Sequence, residues 1–299
     1  MDIVKQKVHI VDLNEGPSSH RVLADLDISI GTTADIEGND QELAFGGKHG
    51  YGILDRRSGS YRYIRRYWDG DEDAQEKYHQ MRGNDGGVDI RGRYWVGTMN
   101  DPLVTPFTDV GTMHSPSGVG VTADIVTGVV FRLDPDLSLH KMIEKITIPN
   151  GISWSNDGKT MYMADSPTKN VYAFDYDIDR GTISNQRVFF RVDETDGVPD
   201  GHAVDEEGYI WQALYGGGKV VRVSPEGVVV AEVLLPTRCP TCPCFAGEDI
   251  YITTAAEGEP EKYPESAGLA GSVFRCHVGV RGQRLHSFRY NAGAPRRSD

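Results

Sequence analysis

No stretch of the 299-residue chain approaches the roughly 18 consecutive apolar residues that a membrane-spanning helix needs, so no membrane partner is expected. Basic side chains are in deficit. Lys and Arg number 31 against 44 Asp and Glu, a formal charge of −13, which argues against a nucleic-acid partner or an anionic lipid surface. Cysteine is scarce as well: Cys239, Cys242 and Cys244 are crowded together and Cys276 stands apart. A secreted disulfide framework uses more cysteines in a shorter chain. Half a zinc site or a redox pair fits the run less well than buried free thiols, because Pro240 and Pro243 interleave the thiols. There is no Asn-x-Ser/Thr sequon, and Met1-Asp-Ile-Val-Lys-Gln-Lys has no apolar run behind its lysines, so a secretory leader is not expected. A cytoplasmic enzyme or binding protein remains.

Amphipathic helix patterns are also rare; the best candidate, Asp71 to Met81, is mostly charged. What the chain has in excess is glycine, 35 residues against a usual level of about 7%. Glycine, Asn and Asp recur in tight turns ahead of runs with the two-residue period of strands. Such runs are Arg91-Gly-Arg-Tyr-Trp-Val-Gly, Asn156-Asp-Gly-Lys-Thr-Met-Tyr-Met-Ala, Glu206-Glu-Gly-Tyr-Ile-Trp-Gln-Ala and Ala246-Gly-Glu-Asp-Ile-Tyr-Ile-Thr-Thr. A second phrase follows each: Val130-Phe-Arg-Leu-Asp-Pro, Val171-Tyr-Ala-Phe-Asp-Tyr, Val220-Val-Arg-Val-Ser-Pro and Val273-Phe-Arg-Cys-His. An all-strand repeat of roughly 40–50 residues is the signature of a β-propeller with one four-stranded blade per repeat. Length then predicts six blades in a single domain over residues 1–299. A β-sandwich does not predict the repeated phrase.

Several familiar motifs fail. Gly158-Lys159-Thr160 lacks the upstream glycine of a phosphate loop, where Ser153 stands. Gly151-Ile-Ser-Trp-Ser155 lacks the final glycine of a nucleophile elbow. Asp69, Asp71 and Asp73 have calcium-loop spacing, but Ala74 and Gln80 replace its glycine and its glutamate. The better signal is dispersed. Arg82-Gly-Asn84-Asp-Gly86, Pro149-Asn150-Gly151 and Pro199-Asp200-Gly201 each place an oxygen-bearing side chain before a glycine at the entrance to a strand, and Asn14-Glu15-Gly16-Pro17 is a looser fourth. Each motif alone reads most simply as a hairpin turn. Recurring in successive blades, they read equally as residues converging on a channel, with oxygens suited to Ca²⁺, Mg²⁺ or Mn²⁺ and tolerated by Zn²⁺.

At these residues the sequence resembles a known family. Arg82-Gly-Asn84-Asp-Gly-Gly-Val-Asp89 with Gly92-Arg-Tyr-Trp-Val-Gly-Thr-Met99, then Pro149-Asn-Gly-Ile-Ser-Trp-Ser-Asn-Asp, Tyr162-Met-Ala-Asp-Ser166 and Pro199-Asp-Gly-His-Ala-Val-Asp205, are similar to the gluconolactonase family. Regucalcin (senescence marker protein) and the luciferin-regenerating enzyme belong to the same family. The resemblance extends from about residue 80 to 280. It implies a six-bladed propeller with one divalent cation, and hydrolysis of a sugar lactone as the small-molecule partner. Carried over residue by residue, it implies Glu15, Asn150 and Asp200 as metal ligands, with Asp200 also the general base. Arg82 and Asn84 would contact substrate. Asp101 stands beside the position of a substrate-contacting Glu in some members. His202 reads either as an aid to proton transfer, its ring on the same strand face as Asp200, or as a structural histidine. Asn100 to Ala123 is expected to set specificity.

The first blade departs from the family pattern. Ser18-Ser-His-Arg follows Pro17 where the family continues with Trp and a full strand, and the segment from Glu15 to Arg82 is about one strand short. That feature favours a non-catalytic, metal-binding regulatory propeller as the rival reading. A third reading keeps the hydrolase and changes the substrate to a non-sugar lactone or a phosphotriester.

Overall fold

Four of the predicted turns close on a glycine with positive φ, a conformation that other residues adopt at a cost. Gly92, Gly158, Gly208 and Gly247 have φ of 78°, 69°, 85° and 65°. Each reverses the chain between the first and second strands of an antiparallel sheet, so the spacing of turn glycines sets the spacing of sheets. The computed structural model describes residues 1–69, 79–104 and 128–290. The helix expected over Asp71 to Met81 lies largely outside these residues. So does most of the Asn100 to Ala123 loop.

Consecutive strands form up-and-down sheets of the kind that make the blades of an all-β propeller. The first is β3 (Ile30–Ile36), β4 (Asn39–Gly47), β5 (Gly50–Asp55) and β6 (Tyr61–Arg66). The second is β7 (Met81–Val88), β8 (Tyr94–Asn100), β9 (Gly128–Leu133) and β10 (Leu139–Ile146). The third joins β11 (Pro149–Trp154), β12 (Thr160–Asp165), β13 (Asn170–Asp177) and β14 (Thr182–Arg191). The fourth joins β15 (Val198–Val204), β16 (Ile210–Tyr215), β17 (Lys219–Val223) and β18 (Val229–Leu234). The last has three strands, β19 (Pro240–Ala246), β20 (Asp249–Thr254) and β21 (Val273–His277). The turn-led runs of the sequence are thus the second strands, and the repeated phrase marks the third strands.

Five blades are present among the described residues, which corrects the expected six. The reason lies upstream of β3. Residues 1–29 form a two-stranded hairpin, β1 (Lys7–Ile10) and β2 (Arg21–Asp25), in place of a four-stranded sheet. The shortage expected in the first blade is therefore larger than one strand.

The chain gathers into two compact units. One holds β1–β10 with residues 286–290; the other holds β11–β21 over residues 147–285. In the first unit Tyr51, Tyr67, Tyr94, Phe131 and Phe288 are buried together, with Tyr51 edge-on to Tyr67 and Tyr94. Burial of aromatics on this scale dominates the energy of such a core. In the second unit Trp211, Ala213, Val220, Ile250 and Ile252 are buried in one cluster.

A feature absent from the sequence reading recurs in each blade. The pairing of the first strand with the second is broken by a bulge, between Ile30 and Thr32, Gly83 and Gly86, Asn150 and Ser153, Pro199 and His202, and Pro240 and Cys242. The Asn-Gly and Asp-Gly motifs sit in these bulges and do not form hairpin turns. A bulge re-aims side chains locally, and such irregularities concentrate beside functional sites.

Candidate functional site

In the first unit, Arg82 precedes the bulge of β7 and Asn84 lies within it, and both are buried. The Arg82 guanidinium donates through Nη1 to the Gly83 carbonyl (2.9 Å) and to Asn84 Oδ1 (2.8 Å). A guanidinium offers donors alone, so this bond fixes the Asn84 amide with its oxygen toward Arg82 and its NH₂ turned away. The β3 backbone presses close: a Cβ on Gly31 would fall 2.2 Å from the Asn84 carbonyl oxygen. Asp101, at the end of β8, is buried and pairs with Lys48 Nζ at 2.6 Å through Oδ2, while Oδ1 accepts the Leu103 N–H. Its carboxylate is committed to these two donors.

Glu15 lies in the loop between β1 and β2, exposed, in a turn where Asp12 Oδ1 accepts the Asn14 and Glu15 N–H groups. It therefore has none of the first-strand setting that the resemblance implies for a ligand.

In the second unit β11 packs beside β15, and one hydrogen-bond chain joins Asn150 to the residue before Asp200. Asn150, only 7% exposed, donates from Nδ2 to Ser166 Oγ at 2.8 Å, and Ser166 Oγ donates to the Pro199 carbonyl at 2.7 Å. Asp200 is partly exposed at the bulge of β15. Beside this chain, burial pushes the Asp165 carboxyl above the usual carboxylate range, against N–H bonds from Ile148 and Thr147. The donor set fits a hard cation, because the Nδ2–Ser166 bond turns the amide oxygen of Asn150 away from Ser166, and an amide oxygen and a carboxylate are hard-ligand chemistry. Among the described residues no three His, Cys, Asp or Glu side chains cluster as a ligand set.

His202 has a different task from the one expected at a substrate face. The bulge between Pro199 and His202 breaks the alternation that would put its ring beside the Asp200 carboxylate. The ring is 9% exposed, and burial lowers its pKa to about 4, so it is neutral at pH 7. Nε2 lies 2.6 Å from Ser153 Oγ and Nδ1 lies 3.1 Å from Gln212 Oε1. Gln212 donates from Nε2 to the carbonyls of Asp200, Gly201 and Ala213, so its oxygen end must face the imidazole. The network thus places the ring proton on Nδ1 and makes Nε2 the acceptor from Ser153. The ring also fills the space over Gly151 (φ +46°), where an added Cβ would meet Nδ1 at 2.3 Å.

Sequence reasoning missed Ser153, Ser166 and Gln212, whose only signal is a polar residue in an otherwise apolar strand or strand end. It also missed the buried carboxylates Asp89 and Asp205. Each lies six residues before a Trp whose indole N–H it accepts, at 3.0 Å and 2.9 Å, and each accepts two backbone N–H bonds of the first turn in its blade. The spacing Asp-x-x-Gly-x-x-Trp was legible at 89–95 and 205–211. The cysteines correct another expectation: Cys239 is buried, but Cys242 and Cys244 are exposed free thiols.

Residues 1–256 match the SMP-30/Gluconolactonase/LRE-like region. Regucalcin from Gallus gallus is 36% identical over 206 residues, 67% of this chain and 64% of that protein, so the match spans just under two thirds of the relative. Among solved structures, a luciferin-regenerating enzyme superposes with a TM-score of 0.77 at 26% identity, covering 97% of this chain and 90% of that one. A calcium-binding protein, regucalcin from Agrobacterium tumefaciens, has the same fold, with a TM-score of 0.77 at 22% identity and coverage of 97% and 88%. With its repeated blades and its inner-strand motifs at 82–86, 149–151 and 199–201, the chain belongs to the SMP-30/gluconolactonase/LRE-like family.

Proposed function

We propose that the chain is a divalent-cation-dependent hydrolase that opens a sugar lactone, with residues 1–299 acting as one propeller domain. The observation that carries this reading is the pairing of Asn150 with the Asp200 strand through Ser166. Asn150 and Asp200 would hold the cation, with Glu15 as the third protein ligand implied by the family. Oxygen donors suit Ca²⁺, Mn²⁺ or Mg²⁺ and are accepted by Zn²⁺. A cation held by these residues would supply Lewis-acid polarisation of the lactone carbonyl. Asp200 takes a proton from the attacking water and returns it to the leaving ring oxygen. Arg82 contributes permanently charged donors for a hydroxyl or carbonyl oxygen, and Asn84 presents its NH₂ as a further donor. His202 and Gln212 hold the β15 bulge beneath Asp200 and take no part in proton transfer.

The test is lactone opening by chelator-stripped protein with Ca²⁺, Mn²⁺, Mg²⁺ or Zn²⁺ restored, using gluconolactone and a five-carbon aldonolactone. Cation-restored activity that falls by about a thousandfold in Asp200→Ala, with the fold intact, is the expected result. Equal rates in that variant and the parent would sink the mechanism. The exposed setting of Glu15 favours one rival, a cation-binding propeller without catalysis. One bound cation per chain with no opening of either lactone would support it, or would move the substrate to a non-sugar lactone or phosphotriester if such esters are cleaved.

A further inference from the structure

We infer that Ser166 is a positioning residue that sets the polarity of the Asn150 amide for cation binding. The inference rests on the reading of Asn150 as a ligand and adds a residue that this reading does not contain.

A backbone carbonyl offers no proton, so the 2.7 Å contact between Ser166 Oγ and Pro199 O requires the serine to donate. Its single hydroxyl proton is then spent, and Ser166 Oγ meets Asn150 as an acceptor. The group 2.8 Å away must be the amide NH₂, and the amide oxygen must lie at the other end of the side chain. Reversing the amide would set two oxygens against each other at hydrogen-bond distance, inside a site where Ser166 is 3% exposed and water is not at hand to relieve the clash. Ser166 therefore favours one of the two amide orientations open to an Asn side chain. It also ties that choice to Pro199, the residue before Asp200, so the two oxygens move as a pair. Partners of this kind beyond a metal's own ligands are worth about 10–100-fold in affinity.

The effect has a signature that loss of packing lacks. An aspartate at 150 has oxygen at both ends, so no amide is left to orient; the Ser166 hydroxyl can turn from the Pro199 carbonyl to donate to it, and the orienting contribution of Ser166 should disappear in an Asn150→Asp background. Ca²⁺ and Mn²⁺ binding to the chelator-stripped full chain, measured by calorimetry without substrate, reads this directly. Ser166→Ala should weaken binding by about 10–100-fold in the parent and by less than about threefold in Asn150→Asp. Its lactonase activity should return at saturating cation, because the chemistry is intact and only occupancy is lost. Equal weakening in both backgrounds, or no weakening in the parent, would overturn the role of Ser166. Should Ser166→Ala fail to fold, Ser166→Thr keeps the hydroxyl and should bind within about threefold of the parent, and a loss as large as that predicted for alanine would overturn the proposal. Failure of the parent itself to bind either cation is a separate outcome that removes Asn150 and Asp200 from the ligand role.

Discussion

Asn84 lies within the bulge of β7, and Asn150 is the last paired residue before the bulge of β11, one step earlier along its strand. Their amides point opposite ways. Arg82 takes the oxygen of Asn84, and Ser166 takes the nitrogen of Asn150. One amide turns its NH₂ away from its partner and the other turns its oxygen away, beside the same backbone device. The partner, not the bulge, sets the orientation, and it is two residues away in one blade and sixteen in the other.

The largest expected effect tests whether the two bulges are equally demanding of their backbone. Gly151→Ala should lose about 3 kcal/mol or more of unfolding free energy by urea titration, since φ is +46° and His202 fills the space. A loss below about 1 kcal/mol would show that the β11 bulge is malleable. Next comes the neighbour that orients Asn84. Arg82→Ala should raise KM by about 10–100-fold while leaving Ca²⁺ affinity unchanged, because a charged donor and the amide it fixes are lost together. A drop in cation affinity would instead place Arg82 at the metal.

A smaller and sharper effect comes from making one substitution twice. Asn84→Asp keeps the oxygen that Arg82 binds and loses the NH₂, so KM should rise by about 3–10-fold. Asn150→Asp keeps an oxygen for the cation, so Ca²⁺ affinity should hold or increase. Matching outcomes for the two variants would erase the distinction between donor and acceptor amides. The smallest effect is a control away from both bulges. Arg238 Nη2, 2.7 Å from Glu257 Oε1, holds that carboxyl at about 2, below its ordinary 4.5. The pair's contribution is present above pH 4.5 and fades as pH falls toward 2. Glu257→Gln should flatten thermal stability against pH in that window while leaving cation binding at pH 7 untouched.

The alternating runs at Tyr94–Asn100, Thr160–Asp165, Ile210–Tyr215 and Asp249–Thr254 made the blades legible, because period and turn glycine are local properties of a strand. The count of blades was not, since dividing length by a repeat assumes that every segment is filled, and residues 1–29 hold only a hairpin. Asn150 and Asp200 were legible through a motif that recurs. The orientation of each amide, and the withdrawal of His202 from the carboxylate face, depend on Ser166, Gln212 and a register slip, none of which leaves a mark on spacing. The commitment of Asp101 to Lys48 arises between residues 53 positions apart and was equally hidden.

The repeated bulge has a consequence for how such a protein changes over time. At the same step of the inner strand the five blades carry Gly31, Asn84-Asp85, Gly151-Ile152, Asp200-Gly201 and Thr241. The kink is made by backbone, so it tolerates a bare glycine, an amide, a carboxylate or a hydroxyl without remaking the sheet behind it. Each blade is in effect a standard mount with an exchangeable fitting. New chemistry can be tried at one mount while the others keep the old, and the fold has little to say about which is chosen.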